Sequence, residues 1–177
     1  MELNTQRLLL RPVGANDKQA ILAYRSDAET NKYQGWIPKT IDDVETFMGK
    51  LSAEFNVPDT WFQLAVLDKN SKELIGDIGI HFIDEQQVEI GYTIAKQHQG
   101  LGFATEAAKA VIDYLFGELK KHRITASIDP GNIASVALLE KLGFRKEAHF
   151  IESLFLNGKW VDDVIYALLG REWNRSK

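Results

Sequence analysis

The 177-residue sequence contains no cysteine. Disulfides, thiolate metal sites and a cysteine nucleophile are therefore excluded, and a reducing compartment is compatible with the chain. Nor is there any stretch near the roughly 20 apolar residues of a membrane span. The apolar run within residues 1–13 is short and carries charges through it, unlike the core of a signal peptide. No membrane partner is expected, and the cytoplasm is the expected location. Positive charge is also not in excess. Lys and Arg number 21 against 25 Asp and Glu, a net charge of −4. That balance disfavours nonspecific nucleic-acid binding, which runs on Lys and Arg contacts to phosphate, and it leaves room for a cationic acceptor. No repeat, low-complexity tract or Pro/Gly/Ser-rich linker divides the chain. With 45% hydrophobic and 26% charged residues, a single globular domain over 1–177 is expected.

What is present alternates between two periodicities. Residues 7–13 read as a strand ending at Pro12, and residues 16–25 as a helix capped by Asn16 or Asp17. Thr40 caps a clearer helix with Ile41, Val44, Phe47, Met48 and Leu51 on one face. Three strands follow, at Thr60–Asp68, 74–83 and 88–95, as an antiparallel meander. Ala104, Ala107, Ala108, Val111, Ile112, Leu115 and Phe116 then mark a helix with a broad apolar face. Arg123–Ile128 alternates as a strand. Asn132 starts another helix, which Gly143 stops. Two long strands joined by Asn157-Gly158, a strong hairpin signal, finish the pattern. The helix between strands 88–95 and 123–128 makes a crossover that sets those two side by side and parallel.

Gly100 and Gly102 precede the first turn of that crossover helix. A helix N-terminus offers unpaired N–H groups and about half a positive charge, so a side-chain-free loop there suits an anion. A Rossmann loop would need Gly or Ala where Thr105 stands, directly after the strand, and a P-loop would need Gly-Lys-Ser/Thr. Neither pattern is met. Gly91, inside strand 88–95, marks a bulge or a close backbone approach. A bulge would part this strand from 123–128 and open a slot at the carboxyl ends of two parallel strands, where open sheets bind ligands.

These residues resemble a known family. Gln97-x-x-Gly100-x-Gly102 is similar to the Q/R-x-x-G-x-G/A acetyl-coenzyme A loop of the GNAT acyltransferases. "GYTIAKQHQGLGFATEA" followed by "NIASVALLEKLGF" resembles the RimJ/RimL-type branch, whose members resemble ribosomal-protein N-alpha-acetyltransferases. "TQRLLLRPV" and "NGKWVDDVIYALLGREW" match it as well, so the likeness runs in order through nearly the whole chain. It implies an α+β fold whose mixed, mostly antiparallel sheet of about seven strands is split by a bulged strand and flanked by about four helices. Acetyl-CoA would lie in the split. Its pantetheine would pair with backbone at Ile90, Tyr92, Thr93 and Ile94. Its pyrophosphate would rest beyond Gln97 on the N–H groups of Gln99, Gly100, Leu101, Gly102, Phe103, Ala104 and Thr105. Asn132 and Ser135 would contact the pantetheine or the sulfur, and Asn132 would also cap its helix. Many relatives pair as homodimers, though no interface is specified in this sequence.

Acetyl transfer to an amine needs a neutral nucleophile, a donor for the developing oxyanion and a departing thiolate. A lysine amine titrates near 10.4 and an α-amine near 7.7–8.0, so an N-terminal acceptor needs less help from a base. Glu89 is the candidate base, directly or through water. A backbone N–H near Tyr92 suits the oxyanion. Many family members carry a tyrosine acid where this chain has Leu139. Ser135 is then the substitute, or no acid is required. Glu106 reads as structural, complementing the helix dipole. The acceptor side would draw on Tyr33, Trp36, Trp61, His81 and Phe82, with Trp36 favoured for its loop position. The acceptor itself would be a peptide N-terminus or a small molecule such as a polyamine or aminoglycoside. A non-catalytic acyl-CoA sensor and a nucleotide-binding module are the rival readings. The second lacks its motifs.

Overall fold

The structure, a computed structural model, describes residues 1–173. The chain runs β1 (Leu3–Asn4), β2 (Leu8–Pro12), α1 (Lys18–Arg25), α2 (Ile41–Met48), β3 (Thr60–Asp68), β4 (Leu74–Phe82), β5 (Gln87–Ile94), α3 (Phe103–Gly117), β6 (Arg123–Ile128), α4 (Ile133–Lys141), β7 (Arg145–Leu156), β8 (Lys159–Leu169) and α5 (Gly170–Trp173). All eight strands form one sheet in the order β1-β2-β3-β4-β5-β6-β8-β7. Every pairing is antiparallel except β5 with β6. The expected α+β fold is therefore present, with one short strand and one short terminal helix more than the periodicity marks. No helix among the described residues is long and apolar enough to cross a membrane.

Alternation within the strands decides what each face holds. Leu8, Leu10, Phe62, Leu64, Val66, Ile78, Ile80, Phe82, Val88 and Ile90 share one face and bury the apolar side of α3 through Ala107, Ala108, Val111, Ile112 and Leu115. The other face carries a second, smaller cluster, in which Ile21, Tyr24, Val44 and Ala95 draw in α1 and α2. Local signals place the ends. Thr40 closes a capping box with Asp43 at the start of α2. Gly143 takes φ 86° just past α4. Asn157 and Gly158, at φ 52° and 82°, form the tight turn between β7 and β8. Asp17, expected as a cap, makes no cap hydrogen bond. Its carboxylate is held instead by Arg11 at 2.7 and 2.8 Å, and α1 begins after a 3₁₀ turn.

One expectation is corrected. Strand β5 is not bulged at Gly91: its register with β4 is unbroken from Gly76↔Ile94 to Phe82↔Val88. The sheet splits by divergence. β5 and β6 pair over only three positions, Gln87↔Arg123 to Glu89↔Thr125. Beyond them β6 follows β8 instead, through Ile128↔Val164. The register shifts of the sheet lie elsewhere, at Val66/Leu67 and in β7.

Candidate active site

The divergence leaves one edge of β5 open. In a strand, the N–H and C=O of a residue point the same way, and the direction alternates along the chain. Val88 C=O accepts from Thr125 on the β6 side at 3.3 Å, and Ala95 N–H bonds Ile75 on the β4 side at 2.8 Å. Even-numbered residues therefore face the opening. The backbones of Ile90, Tyr92 and Ile94 line the slit, while that of Thr93 belongs to the ladder with β4. That removes Thr93 from the expected backbone partners of a ligand. Its buried hydroxyl has no partner. At the far end of the slit the Gln99 side-chain amide donates to Ile94 C=O at 2.8 Å, so these two expected contacts hold each other.

The slit runs into the glycine loop. Gly100 and Gly102 have φ 75° and 82°, a region that favours glycine, and Gly102 is the N-cap of α3. A Cβ on Gly100 would meet nothing within 4 Å. The N–H groups of Phe103, Ala104 and Thr105 open the helix and have no intrahelical acceptor. Gln97 and Leu101 are exposed at the loop surface, whereas the Phe103 ring is buried beneath it.

A residue that sequence reasoning passed over grips this loop. Arg7 Nη1 donates to Leu101 C=O at 2.9 Å, and its guanidinium lies 4.4 Å over the Phe103 ring. Its Nε meets Glu106 at 2.6 Å, and Glu106 also accepts from Thr5 Oγ1 at 2.6 Å and from the Arg7 N–H at 2.9 Å. Burial pushes the Glu106 pKa up, but these donors outweigh it and hold the carboxyl below its ordinary range. The only clue in the sequence was a charged residue beginning an otherwise apolar strand.

On the other side of the slit stands α4. Asn132 Oδ1 accepts the Ser135 N–H at 3.3 Å, the expected cap. The Tyr92 hydroxyl donates to Ser135 C=O at 3.4 Å, so Tyr92, Asn132 and Ser135 converge. Burial pushes the Tyr92 phenol up to about 12. Leu139 is fully buried in the core, and no hydroxyl enters from its position.

Odd-numbered Glu89 turns its side chain to the opposite face, into a cleft of about 510 Å³. Trp36, Trp61, Tyr33, Gly91 and Tyr92 line it together with Ser127, Asp129, Asp163 and, from the hairpin, Leu154, Leu156 and Asp162. Burial raises the Glu89 pKa, Asp163 adds to the rise and His81 opposes it. Asp163 accepts from Ser127 at 2.6 Å. Beneath the cleft, Asp77 is held by Arg25, Tyr24 and Gln63, the last at 2.7 Å. Arg25 in turn lies 5.6 Å under the Trp36 ring, which stacks on Phe47. Two expected residues fall outside the lining. His81 is paired across the ladder with Glu89 and stacked 4.8 Å from Trp61, so it contacts the wall rather than the space. Phe82 is fully buried in the core. Missed were the acidic hairpin residues Asp162 and Asp163, which β8 brings to the cleft by pairing with β6, a long-range match that has no local sequence mark.

An opened strand edge, a left-handed glycine loop and unpaired helix N–H groups together fit a ligand with a peptide-like arm and a phosphate end. Comparison with known proteins agrees. The family model "Acetyltransferase (GNAT) domain" matches residues 7–145. The uncharacterized N-acetyltransferase YnaD of Bacillus subtilis (strain 168) is 35% identical, with 98% of this chain and 100% of YnaD covered. The [ribosomal protein uS5]-alanine N-acetyltransferase of Escherichia coli (strain K12) is 29% identical over 98% of this chain and 93% of that one. The crystal structure of spermidine N-acetyltransferase from Vibrio cholerae, in complex with CoA and spermine, superposes with a TM-score of 0.83 at 26% identity, covering 96% of this chain and 99% of that one.

Proposed function

The chain belongs to the GNAT acetyltransferase family, and from that premise we propose that it moves the acetyl group of acetyl-CoA to a primary amine by direct attack, as one cytoplasmic domain. The observation that carries the reading is the alternation of β5. Its even residues turn backbone donors to the slit, and its odd residue Glu89 turns a carboxylate to the cleft on the other face. The two halves of a transfer reaction thus meet across one strand.

Acetyl-CoA supplies the activated acetyl thioester. Ile90, Tyr92 and Ile94 offer backbone partners to its arm, and Gly100 to Thr105 offer N–H groups to its pyrophosphate. Glu89 takes the proton from the entering ammonium, and desolvation has raised its basicity for that task. The Tyr92 N–H faces the slit, where a developing oxyanion needs a donor. The Tyr92 phenol, kept protonated by burial, takes the place of the tyrosine missing at Leu139 and shares the proton-donor role with Ser135.

The acceptor enters as a cation. Glu89, Asp129, Asp162 and Asp163 line the cleft against two cations, Lys50 and Arg25. Arg25 is already paired with Asp77, and Asp162 is hydrogen-bonded by His149, so the carboxylates still outnumber the one cation left to oppose them. Such a wall attracts an ammonium. A peptide N-terminus, as for the ribosomal relative, asks least of Glu89. A polyamine, as in the Vibrio cholerae structure, makes most use of the acidic wall. Thiol release from acetyl-CoA against peptides with varied N-terminal residues, polyamines and aminoglycosides tests both. Turnover with one class fixes the acceptor. Cofactor binding with no turnover on any class would favour the sensor reading.

A further inference from the structure

We propose that Arg7 is a cofactor-positioning residue, which tethers the glycine loop and cancels the Glu106 charge at the mouth of the phosphate site. The inference rests on the reading that this loop takes the pyrophosphate of CoA, and it adds a residue that lies outside the loop, about a hundred positions away in sequence.

Glu106 sits one turn into α3, on the helix that presents the loop. A carboxylate there suits the bare helix dipole but repels the phosphates that the same N-terminus is built to receive. Arg7 resolves the conflict. One guanidinium bonds the Glu106 carboxylate at 2.6 Å and the Leu101 carbonyl at 2.9 Å, and it lies against Phe103. Its Nη2 comes within 3.5 Å of where a Gly102 Cβ would stand. It therefore contacts Leu101 and Phe103 and lies beside the glycine between them. The Arg7 side chain remains 38% exposed, against 19% for Glu106, so its charge still faces the solvent from which the phosphates arrive. The strand itself is held without the guanidinium, because the residue 7 N–H bonds Glu106 at 2.9 Å.

The test is CoA affinity by titration calorimetry, with a urea melt of each variant. Arg7→Ala should weaken CoA binding roughly two- to fivefold, the usual range for a charge at a helix terminus, and at most about thirtyfold where the site is partly buried. The KM of the acceptor should stay as in the wild type. Arg7→Lys keeps the charge but cannot span both partners, and should fall between. Arg7→Ala with Glu106→Gln removes both charges and should recover most of the lost affinity, which a purely structural role would not allow. Should Arg7→Ala fail to fold, Glu106→Gln alone decides: it should bind CoA as tightly as wild type or tighter. Unchanged affinity in a folded Arg7→Ala, no recovery in the double variant, or weaker binding by Glu106→Gln would overturn the proposal. If the wild type does not bind CoA, or Gly102→Glu binds it unimpaired, the loop reading fails instead.

Discussion

Asp77→Ala should destabilise the fold and loosen the acceptor cleft while leaving the cofactor side alone. Asp77 is 2% exposed and Arg25 8%. Arg25 Nε lies 3.0 Å from Asp77 Oδ2, with a second, shorter contact to Oδ1. Gln63 and the Tyr24 hydroxyl donate to the same carboxylate. Burial opposes the Arg25 charge, and Asp77 more than offsets it, so the guanidinium pKa stays above its ordinary value. Removing the carboxylate strands a buried cation and two buried donors. Breaking one side of a buried pair costs about 3–5 kcal/mol, a large part of the roughly 5–15 kcal/mol that holds a domain. For a chain of this size the melting point should fall by roughly 6–20 °C. Urea unfolding with an unchanged m-value reads the loss directly. Because Arg25 underlies Trp36, the acceptor KM should rise as CoA affinity holds. Replacing both partners, as Arg25→Met with Asp77→Leu, should recover the part of the loss due to the stranded cation, while the Tyr24 and Gln63 donors stay unpaired and keep the rest of the loss in place. A loss below about 1 kcal/mol in folded Asp77→Ala would refute the argument, because a truly desolvated charge cannot lose its partner so cheaply.

Glu89→Gln should lower turnover by roughly 10²–10⁴-fold with CoA affinity kept, and the acid limb of the rate profile, which in the wild type lies above the ordinary carboxylate range, should vanish. The same shift has a stability sign. The folded pKa is raised, so the native chain takes up a proton before the unfolded chain does, and stability from this site rises as pH falls through the folded value; a pH series of melts on wild type and Glu89→Gln shows whether that slope disappears. Gly102→Glu should abolish CoA binding in calorimetry, combining a left-handed backbone that disfavours side chains by about 1–2 kcal/mol with a negative charge at the phosphate site. Gly158→Val should lower the melting point through the same backbone penalty and raise the acceptor KM, because the hairpin it closes supplies Leu154, Leu156 and Asp162 to the cleft; an unchanged acceptor KM would detach the hairpin from substrate binding.

What could be read from the sequence was what local chemistry decides. Thr40, Asn132, Gly143 and Asn157-Gly158 each fix a cap or turn within a few residues, and each stands where its type demands. Gly100 and Gly102 were legible for the same reason, since a left-handed loop before a helix is a local event. The split in the sheet was foreseen, but its cause was not. Gly91 suggested a bulge, whereas β5 keeps perfect register with β4 and is parted from β6 because β6 continues its ladder with β8. That choice is made with β8, about seventy residues beyond Gly91, and no glycine in β5 reports it. The same limit hid Arg7 and Asp77. Arg7 stands just before β2 and Asp77 inside β4, each a charge beside apolar strand positions, a pattern that announces a partner without naming it. Their partners, Glu106 and Arg25, lie 99 and 52 residues away. A charged residue in or at the edge of an apolar strand is therefore the mark to pursue in this fold, because a partner brought from another element holds it there. Here two such partnerships sit behind the glycine loop and beneath the cleft that Glu89 lines.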